Sequence, residues 1–302
     1  IVDRNRNPFN LKHATRHIVQ PDVTPRNILA FAQRYHSELD FGIVGPEKPI
    51  INGVRDLLEQ KLKLPMICPT KAYALEQSKI AQRRLLQEIA PEVNPPFQIF
   101  DPREYASVNA VKKAVWSWLS ELNNQVAVKP DGVTAGKGVG VWGDHFTDRD
   151  TLFDHFLSNY QYGPVIIEEK VVGEEASFQC FCDGKHLVPL PDVRDYKRAF
   201  QDDKGPNTGG MGAYKTSENH LPFMTGQDRA REVRVTERVF QKLKGRGSNP
   251  GIRGIPLYGA FIHTAQGSKL LEINSRPGDP EIMNLLPLLQ EDFADVCFKI
   301  LE

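Results

Sequence analysis

Net charge is the first thing this 302-residue sequence lacks, because 38 Lys and Arg are balanced by 38 Asp and Glu. Without a global basic field, sequence-independent nucleic-acid binding loses its usual driving force, and a small-molecule ligand becomes the expectation. Cysteine is scarce too. The four present, Cys68, Cys180, Cys182 and Cys297, form no C-x-x-C spacing, which excludes a zinc ribbon and a thioredoxin-like redox pair. Cys180 and Cys182 lie two apart in a strand-like run and project from one face, so they are poorly placed to bridge. All four read as reduced, mostly buried thiols, which points to a reducing cytoplasm. Apolar runs stay short, as at 165–167, far below the roughly 18 residues that a membrane helix needs. The opening stretch is polar and lacks the apolar core of a signal peptide. Internal repeats are absent as well. What is present is ordinary: 40% hydrophobic and 25% charged residues, a globular balance over a length that predicts two or three domains.

Residues 1–36, rich in Arg, His, Asn and Pro, read as a loop followed by one helix near 25–35, with the basic residues on a solvated face. A strand at 41–44 ending in Gly45-Pro46-Glu47, a helix over 53–61 and a strand near 66–68 predict an α/β unit with a parallel pair. The spacing of Ala74, Leu75, Ile80, Leu85, Leu86 and Ile89 predicts a helix within 70–90, ended by Pro91. Further helices are expected at 107–122, 150–157, 227–244 and from 282 to 289. Strands are expected at 126–129, 165–171, 176–182, 186–190, 257–264 and 269–273, with Asp183-Gly184 marking a hairpin. Residues 191–222 read as a long polar Gly-rich loop, for which composition leaves two options, a functional loop or a disordered lid.

Four segments carry chemistry. Asp131-Gly132-Val133-Thr134-Ala135-Gly136-Lys137-Gly138 follows a strand, so its backbone N–H groups can approach a phosphate without Cβ obstruction. Its spacing is not that of a Walker loop, and the strand character resuming at Val139-Gly140-Val141 argues against a dinucleotide fingerprint. Strand, Gly loop, strand describes a flap over phosphates or a plain hairpin. Lys129, ending an apolar strand, calls for an anion. The run Glu168-Glu169-Lys170-Val171 through Glu175 reads as a hinge that could offer backbone groups to an adenine edge and a carboxylate to a ribose, or as a solvated charge run. Glu272 and Asn274, two apart on a strand, present two hard oxygens on one face, a magnesium geometry. Arg276 follows them and could clamp a carboxylate or phosphate. In the long loop, Asp195-Tyr196-Lys197-Arg198 precedes Gly205-Pro206-Asn207-Thr208-Gly209-Gly210-Met211-Gly212, a combination suited to an anionic substrate.

Taken in order, these segments resemble the ATP-grasp enzymes, and among them the phosphoribosylamine–glycine ligase family of purine biosynthesis, from about 41 to 281. The resemblance rests on Val44-Gly45-Pro46-Glu47, Lys129-Pro130-Asp131-Gly132 with Gly136-Lys137-Gly138-Val139, Ile167-Glu168-Glu169 with Gly173-Glu174-Glu175-Ala176-Ser177-Phe178, the 205–212 string, and Glu272-Ile273-Asn274-Ser275-Arg276 with Gly278-Asp279-Pro280-Glu281. It implies an α/β chain with the ATP-grasp fold, preceded by an incomplete N-terminal Rossmann-like domain. Residues 1–70 would bind substrate, and 71–302 would form the ATP-grasp core, with the flexible ATP lid inside 126–190. The implied reaction joins glycine to 5-phosphoribosylamine at the expense of ATP, through glycyl phosphate.

By the same resemblance, Lys129, Glu272 and Arg276 would be catalytic. Lys79, Lys129, Gly136, Lys137, Gly138, Glu168, Glu169, Lys170, Val171 and Glu175 would hold ATP. Glu47, Lys197, Arg198, Asn207, Thr208, Gly209, Gly210, Arg276, Gly278 and Asp279 would hold the two substrates, and Glu272 with Asn274 would hold Mg2+ or Mn2+. No nucleic acid and no membrane is implied, and the location would be cytoplasmic. The family's opening strand with its Gly-x-Gly-Gly-Arg-Glu-His loop has no counterpart among these residues, nor has its C-terminal domain. The chain is therefore expected to be the middle of a longer ligase or a shortened homologue. Tyr196 replaces the usual His of an Asp-His-Lys-Arg string, and Ala260 stands where many ATP-grasp enzymes carry a further metal-binding carboxylate. Two other readings follow, another ATP-grasp carboxylate–amine ligase, against which the 205–212 string argues, and a non-catalytic nucleotide-binding protein.

Overall fold

The computed structural model describes residues 1–133, 138–201, 204–244 and 250–302. Its first elements are β1 (Val2–Asp3), α1 (Pro8–His13) and β2 (Ile18–Val19), with the two strands in parallel. The composition of this stretch predicts only loop. Strands of two residues cannot show alternation, and these are held by backbone bonds, from Ile18 N–H to Ile1 O at 2.9 Å and from Gln20 N–H to Asp3 O at 2.8 Å. The expected helix, α2 (Pro25–Arg34), opens where the Thr24 side chain accepts the Asn27 N–H and Pro25 pre-sets the first turn. Then come β3 (Gly42–Ile43), α3 (Glu47–Ile51), α4 (Val54–Leu62) and β4 (Met66–Ile67). β3 and β4 pair in parallel, as expected of the α/β unit. Ala32, Ile50, Val54, Leu58 and Met66 bury its apolar faces in one core.

The next sheet is antiparallel throughout. α5 (Lys79–Ile89), β5 (Phe97–Phe100), α6 (Val108–Glu121), β6 (Val126–Pro130), β7 (Gly140–Val141), α7 (Arg149–Tyr160) and β8 (Val165–Glu169) give the strand order β5-β8-β6-β7. Ser107 and Asp148 cap α6 and α7. Both helices bury apolar faces on the sheet, with Val111, Val115 and Leu119 against Val126, Val128 and Ile167. The helix expected within 70–90 is α-helical only from Lys79. Residues 71–77 form two single 3-10 turns, and Ser78 caps α5 through the Ala81 N–H.

A third sheet follows. β9 (Glu174–Phe178) and β10 (Cys180–Cys182) split what the sequence suggests is one strand, because β9 pairs with β14 while β10 turns into a hairpin with β11 (Leu187–Pro189). All four cysteines are free and buried. β12 (Arg194–Phe200) and β13 (Lys204–Tyr214) form a long antiparallel hairpin where a loop was expected. Its glycines give β13 no apolar alternation to read, and Tyr196 stacks on Tyr214 to support the ladder. α8 (Gly226–Leu243), β14 (Tyr258–Thr264), β15 (Gly267–Asn274), α9 (Ile282–Leu285) and α10 (Phe293–Leu301) complete the chain. The central sheet has the order β15-β14-β9. Phe178, Phe261, Leu270 and Ile273 on one face pack on Leu86 of α5 and Val235 and Val239 of α8. No helix among the described residues is long and apolar enough to cross a membrane.

Candidate active site

Alternation makes the other face of this sheet polar. Ala260 pairs with Ser177 on one side and Glu272 on the other, while Tyr258 pairs with Asn274 and Ile262 with Glu175. Paired residues project alike, so Glu175, Ser177, Glu272 and Asn274 share the face opposite the core. Glu272 and Asn274 stand side by side as expected, with Asn274 Nδ2 at 3.5 Å from Glu272 Oε1. Burial pushes the Glu272 carboxyl up, but the ammoniums of Lys197, Lys129 and Lys79 outweigh that and hold it below the ordinary carboxylate range. The fields of three lysines from three separate elements thus act on one carboxylate, although each ammonium bonds elsewhere, Lys79 to the Gly132 carbonyl, Lys129 to Glu168 and Lys197 to Glu175. A carboxylate whose ionised form is favoured, beside a side-chain amide, fits magnesium, which commonly takes its other positions from phosphate oxygens and water. Ala260, directly across from Glu272, offers no further ligand, and the described residues contain no cluster of three or more His, Cys, Asp or Glu able to hold a metal.

The candidate nucleotide residues lie beside this face. Lys79, the first residue of α5, donates to the Gly132 carbonyl at 2.5 Å, while Asp131 accepts from Ser78 Oγ and from the Ile80 N–H, each at 3.1 Å. The start of the Gly-rich segment is therefore pinned to the start of α5. Gly132 and Gly138 both take positive φ, at +89° and +86°, and the Gly138 carbonyl accepts from His155 Nε2 at 2.9 Å. Gly136 and Lys137 lie outside the described residues. Lys129 is ion-paired with Glu168, whose other oxygen accepts from Arg83 Nε at 2.8 Å. Burial would raise the Glu168 pKa, yet Arg83 and Lys129 bring it below the usual range. The Glu168 side chain is committed to these cations. Glu169 and Lys170 donate their N–H groups to Pro96 and Gln125 carbonyls, both at 2.9 Å, and the Lys170 ammonium donates to Trp142 O at 2.6 Å. Val171 follows them, half-buried.

The candidate substrate residues gather from the other side. Lys197 lies 3.0 Å from Glu175. Burial would weaken its ammonium, but Glu175, Tyr258 and Glu272 outweigh that and hold it firmly protonated. Arg198 donates to the Gly205 carbonyl at 2.9 Å and to Asp144 at 3.2 Å, so it ties the hairpin to the loop after β7. Asn207 and Thr208 shape the hairpin itself. Asn207 accepts the Gly209 N–H, and Thr208 donates to the Lys197 carbonyl at 2.8 Å while accepting the Gly210 N–H. Gly210 sits at φ +147°, where an added Cβ would lie 3.0 Å from Pro280 Cδ, so hairpin and 278–281 turn are in close apposition. In that turn the Gly278 N–H donates to Gln179 Oε1 at 2.8 Å, and Asp279 is exposed. Glu281 accepts from Ser177 Oγ at 2.7 Å and from the Tyr258 hydroxyl. Arg276 Nε lies 3.4 Å from both Glu47 and Glu76.

Three residues outside the sequence reading complete the site. Gln82 donates to the Ile273 carbonyl at 3.0 Å and accepts its N–H at 2.8 Å, and Arg83 donates to the carbonyls of Leu270 and Leu271. β15 is an edge strand, and these side chains satisfy its outer backbone groups. Glu76 is the third. Its N–H donates to Ser275 Oγ at 3.2 Å and its Oε2 accepts the Ser275 N–H at 2.9 Å. Burial pushes the Glu76 carboxyl up to about 7, against the pull of Arg276. The sequence signal for the three is only that they are polar positions within the helix expected over 70–90.

Comparison with known proteins fits this geometry. The family model described as phosphoribosylglycinamide synthetase, ATP-grasp (A) domain, matches residues 97–282. The phosphoribosylamine–glycine ligase of Methanocella arvoryzae is 36% identical over 301 residues, covering 99% of this chain and 66% of the relative. That of Methanopyrus kandleri is 36% identical over 304 residues, covering 99% and 65%. The chain thus spans slightly under two thirds of the length of these relatives. Among solved structures, a phosphoribosylamine–glycine ligase from Thermotoga maritima superposes with a TM-score of 0.71 at 23% identity, covering 98% of this chain and 67% of that one. A D-alanine–D-alanine ligase from Bacillus anthracis does so with a TM-score of 0.60 at 14% identity, covering 93% and 81%. These two likenesses concern the fold.

Proposed function

Since the chain belongs to the phosphoribosylglycinamide synthetase ATP-grasp family, we propose that it takes part in the ATP-dependent ligation of glycine to 5-phosphoribosylamine, giving glycinamide ribonucleotide, ADP and phosphate. The observation that carries this reading is that the positive charges of Lys79, Lys129 and Lys197, bonded to Gly132, Glu168 and Glu175, act together on Glu272, which gives this face of the sheet a cationic character around one anion. A polyphosphate with its metal suits such a face. We assign residues 1–70 to the substrate-binding α/β domain and 71–302 to the ATP-grasp core, with the ATP lid inside 126–190.

In this reading the glycine carboxylate oxygen attacks the γ-phosphorus, the bond to the β–γ bridging oxygen breaks, and ADP leaves. The phosphoribosylamine nitrogen then attacks the carbonyl carbon of glycyl phosphate, the C–O bond to phosphate breaks, and the nitrogen loses a proton as the amide forms. Lys129 and Lys79 neutralise phosphate charge, and Lys79 also fixes the start of the flap through Gly132. With the N–H groups of Glu169 and Lys170 engaged, an adenine edge would be read by carbonyls of 169–171 and the Val171 N–H, and the ribose by Glu175. Magnesium or manganese held by Glu272 and Asn274 would supply charge neutralisation at the phosphates. Arg276 orients an anionic group of the substrate, and the β12–β13 hairpin covers the site, excluding water from an acyl phosphate. ATP and small metabolites as substrates, with four free thiols, suit a cytoplasmic location.

Purified protein mixed with ATP, magnesium, glycine and freshly made phosphoribosylamine should release ADP, and omission of either substrate should abolish it. Nucleotide binding with no ADP release in the complete mixture would reject the ligase reading in favour of a non-catalytic nucleotide binder. Turnover with another carboxylic acid and not with glycine would redirect it to a different ligase.

A further inference from the structure

We infer that Glu76 is the positioning residue for Arg276, fixing the direction of the guanidinium that meets the anionic part of the substrate. This deepens the ligase reading and rests on it for the identity of that substrate. Glu47 and Glu76 each stand 3.4 Å from Arg276 Nε as ion-pair partners, neither in hydrogen-bonding geometry with it, and they are anchored differently. The Glu76 side chain is 10% exposed, against 22% for Glu47. One Glu76 oxygen accepts the Ser275 N–H at 2.9 Å, and the Glu76 N–H donates to Ser275 Oγ at 3.2 Å. This reciprocal pair locks the carboxylate rotor, so its second oxygen has one direction, toward the next residue along, Arg276. Glu47, on the first turn of α3, has no such lock among its described contacts and is the partner a substrate anion could displace.

The anchoring extends to the nucleotide side. Two residues after Glu76, Ser78 bonds Asp131, and Lys79 bonds the Gly132 carbonyl. Farther along, Gln82 holds both backbone groups of Ile273. Residues 76–82 therefore act as one ruler between the flap and the end of β15, with Arg276 at its far mark. A misplaced arginine affects the substrate it meets while leaving the nucleotide contacts at 79, 131 and 132 in place.

Glu76→Gln is the informative change. Its carbonyl can keep the Ser275 bond, which then turns the amide NH2 toward Arg276 Nε, donor against donor. The expected result is a glycine or phosphoribosylamine KM at least tenfold higher, an ATP KM within twofold of the parent, and partial recovery in Glu76→Asp, which keeps the charge. In an Arg276→Gln background, Glu76→Gln should add no more than twofold, since the residue acts through the arginine. Unchanged substrate KM values, an ATP KM shifted by the same factor, or full additivity in the double variant would overturn the inference. NMR supplies a readout independent of ligation. The Arg276 Nε–H resonance, identified by its loss in Arg276→Lys, should shift or broaden in Glu76→Gln, and an unmoved resonance overturns the inference even if the parent proves not to be a ligase. A parent without substrate-dependent ADP release, but with the resonance moved, rejects the ligase reading alone.

Discussion

Replacing Arg83 by Met tests how the two sheets are joined at the site. Arg83 and Glu168 have side chains only 3% and 2% exposed, and Nε lies 2.8 Å from the carboxylate. The same guanidinium donates to Asn94 Oδ1 at 3.2 Å, to the Leu270 carbonyl at 2.8 Å and to the Leu271 carbonyl. Methionine fills much of the stem's volume and supplies no donor. Glu168 is then left with Lys129 alone, and the acceptors on Asn94, Leu270 and Leu271 lose their partner. Removing one member of a buried ion pair costs about 3–5 kcal/mol, a large share of the roughly 5–15 kcal/mol that a folded protein has in all. At roughly 2–4 °C per kcal/mol for a chain of this size class, Tm should fall by about 10 °C. Urea unfolding at pH 7, followed by tryptophan fluorescence, would read the loss as a lower midpoint with little change in slope. The companion variant is Arg83→Met with Glu168→Met, which removes both buried charges and should destabilise by less than the sum of the single changes. A loss below about 1 kcal/mol in Arg83→Met, or strict additivity in the double variant, would refute the view that this pair is buried and charged. Because the folded Glu168 pKa is depressed, its contribution is present above the unfolded carboxyl pKa and is lost as pH falls through the folded one. The deficit of Arg83→Met should therefore narrow in acid.

Three further predictions concern other parts of the molecule. Glu272→Ala should abolish ADP release while leaving Tm within a few degrees, and unchanged turnover at limiting magnesium would reject the metal assignment. Lys129→Met, on a side chain 14% exposed, should raise the ATP dissociation constant by on the order of tenfold, the loss of one charge-assisted contact, and equilibrium binding of a labelled nucleotide decides it. Asp192 and Glu232 are two buried carboxyls, the first paired with Arg229 and the second 2.9 Å from His263 Nε2, and burial pushes both up to about 8. Raised carboxyl pKa values mean that the folded state keeps protons the unfolded chain has released. Stability from this pair is full below pH 4 and is lost as pH rises through about 8, at up to about 1.4 kcal/mol per pH unit for each retained proton. Asp192→Asn should flatten the fall in Tm between pH 6 and 9, and a parallel fall would show that another group is responsible.

Much of the local structure was legible because its causes are local. Ser107, Asp148 and Thr225 cap helices within a residue or two of the expected starts, and Asp183-Gly184 closes the hairpin of β10 and β11. The alternation of 269–273 places Glu272 and Asn274 on one face whatever the rest of the chain does. Elements without such causes stayed hidden. β1 and β2 are too short to alternate, and β13 has too many glycines to carry a pattern, so both depend on a partner strand that sequence spacing does not name.

The sequence by itself determined most of the longer helices, the parallel β3–β4 pair, the identity of the chemical groups and the family likeness. Only the tertiary structure decided which groups meet. Arg83 and Glu168 are 85 positions apart and Glu76 and Ser275 are 199 apart, and their encounters follow from strand order and from α5 lying along the free edge of β15. The same holds for the opening observation on charge. A net charge of zero hides a locally uneven arrangement, in which the charges of Lys79, Lys129 and Lys197 act together on Glu272 while two carboxylates share Arg276. Charge totals are fixed by composition, whereas fields are fixed by distance, and distances between remote residues are set by packing.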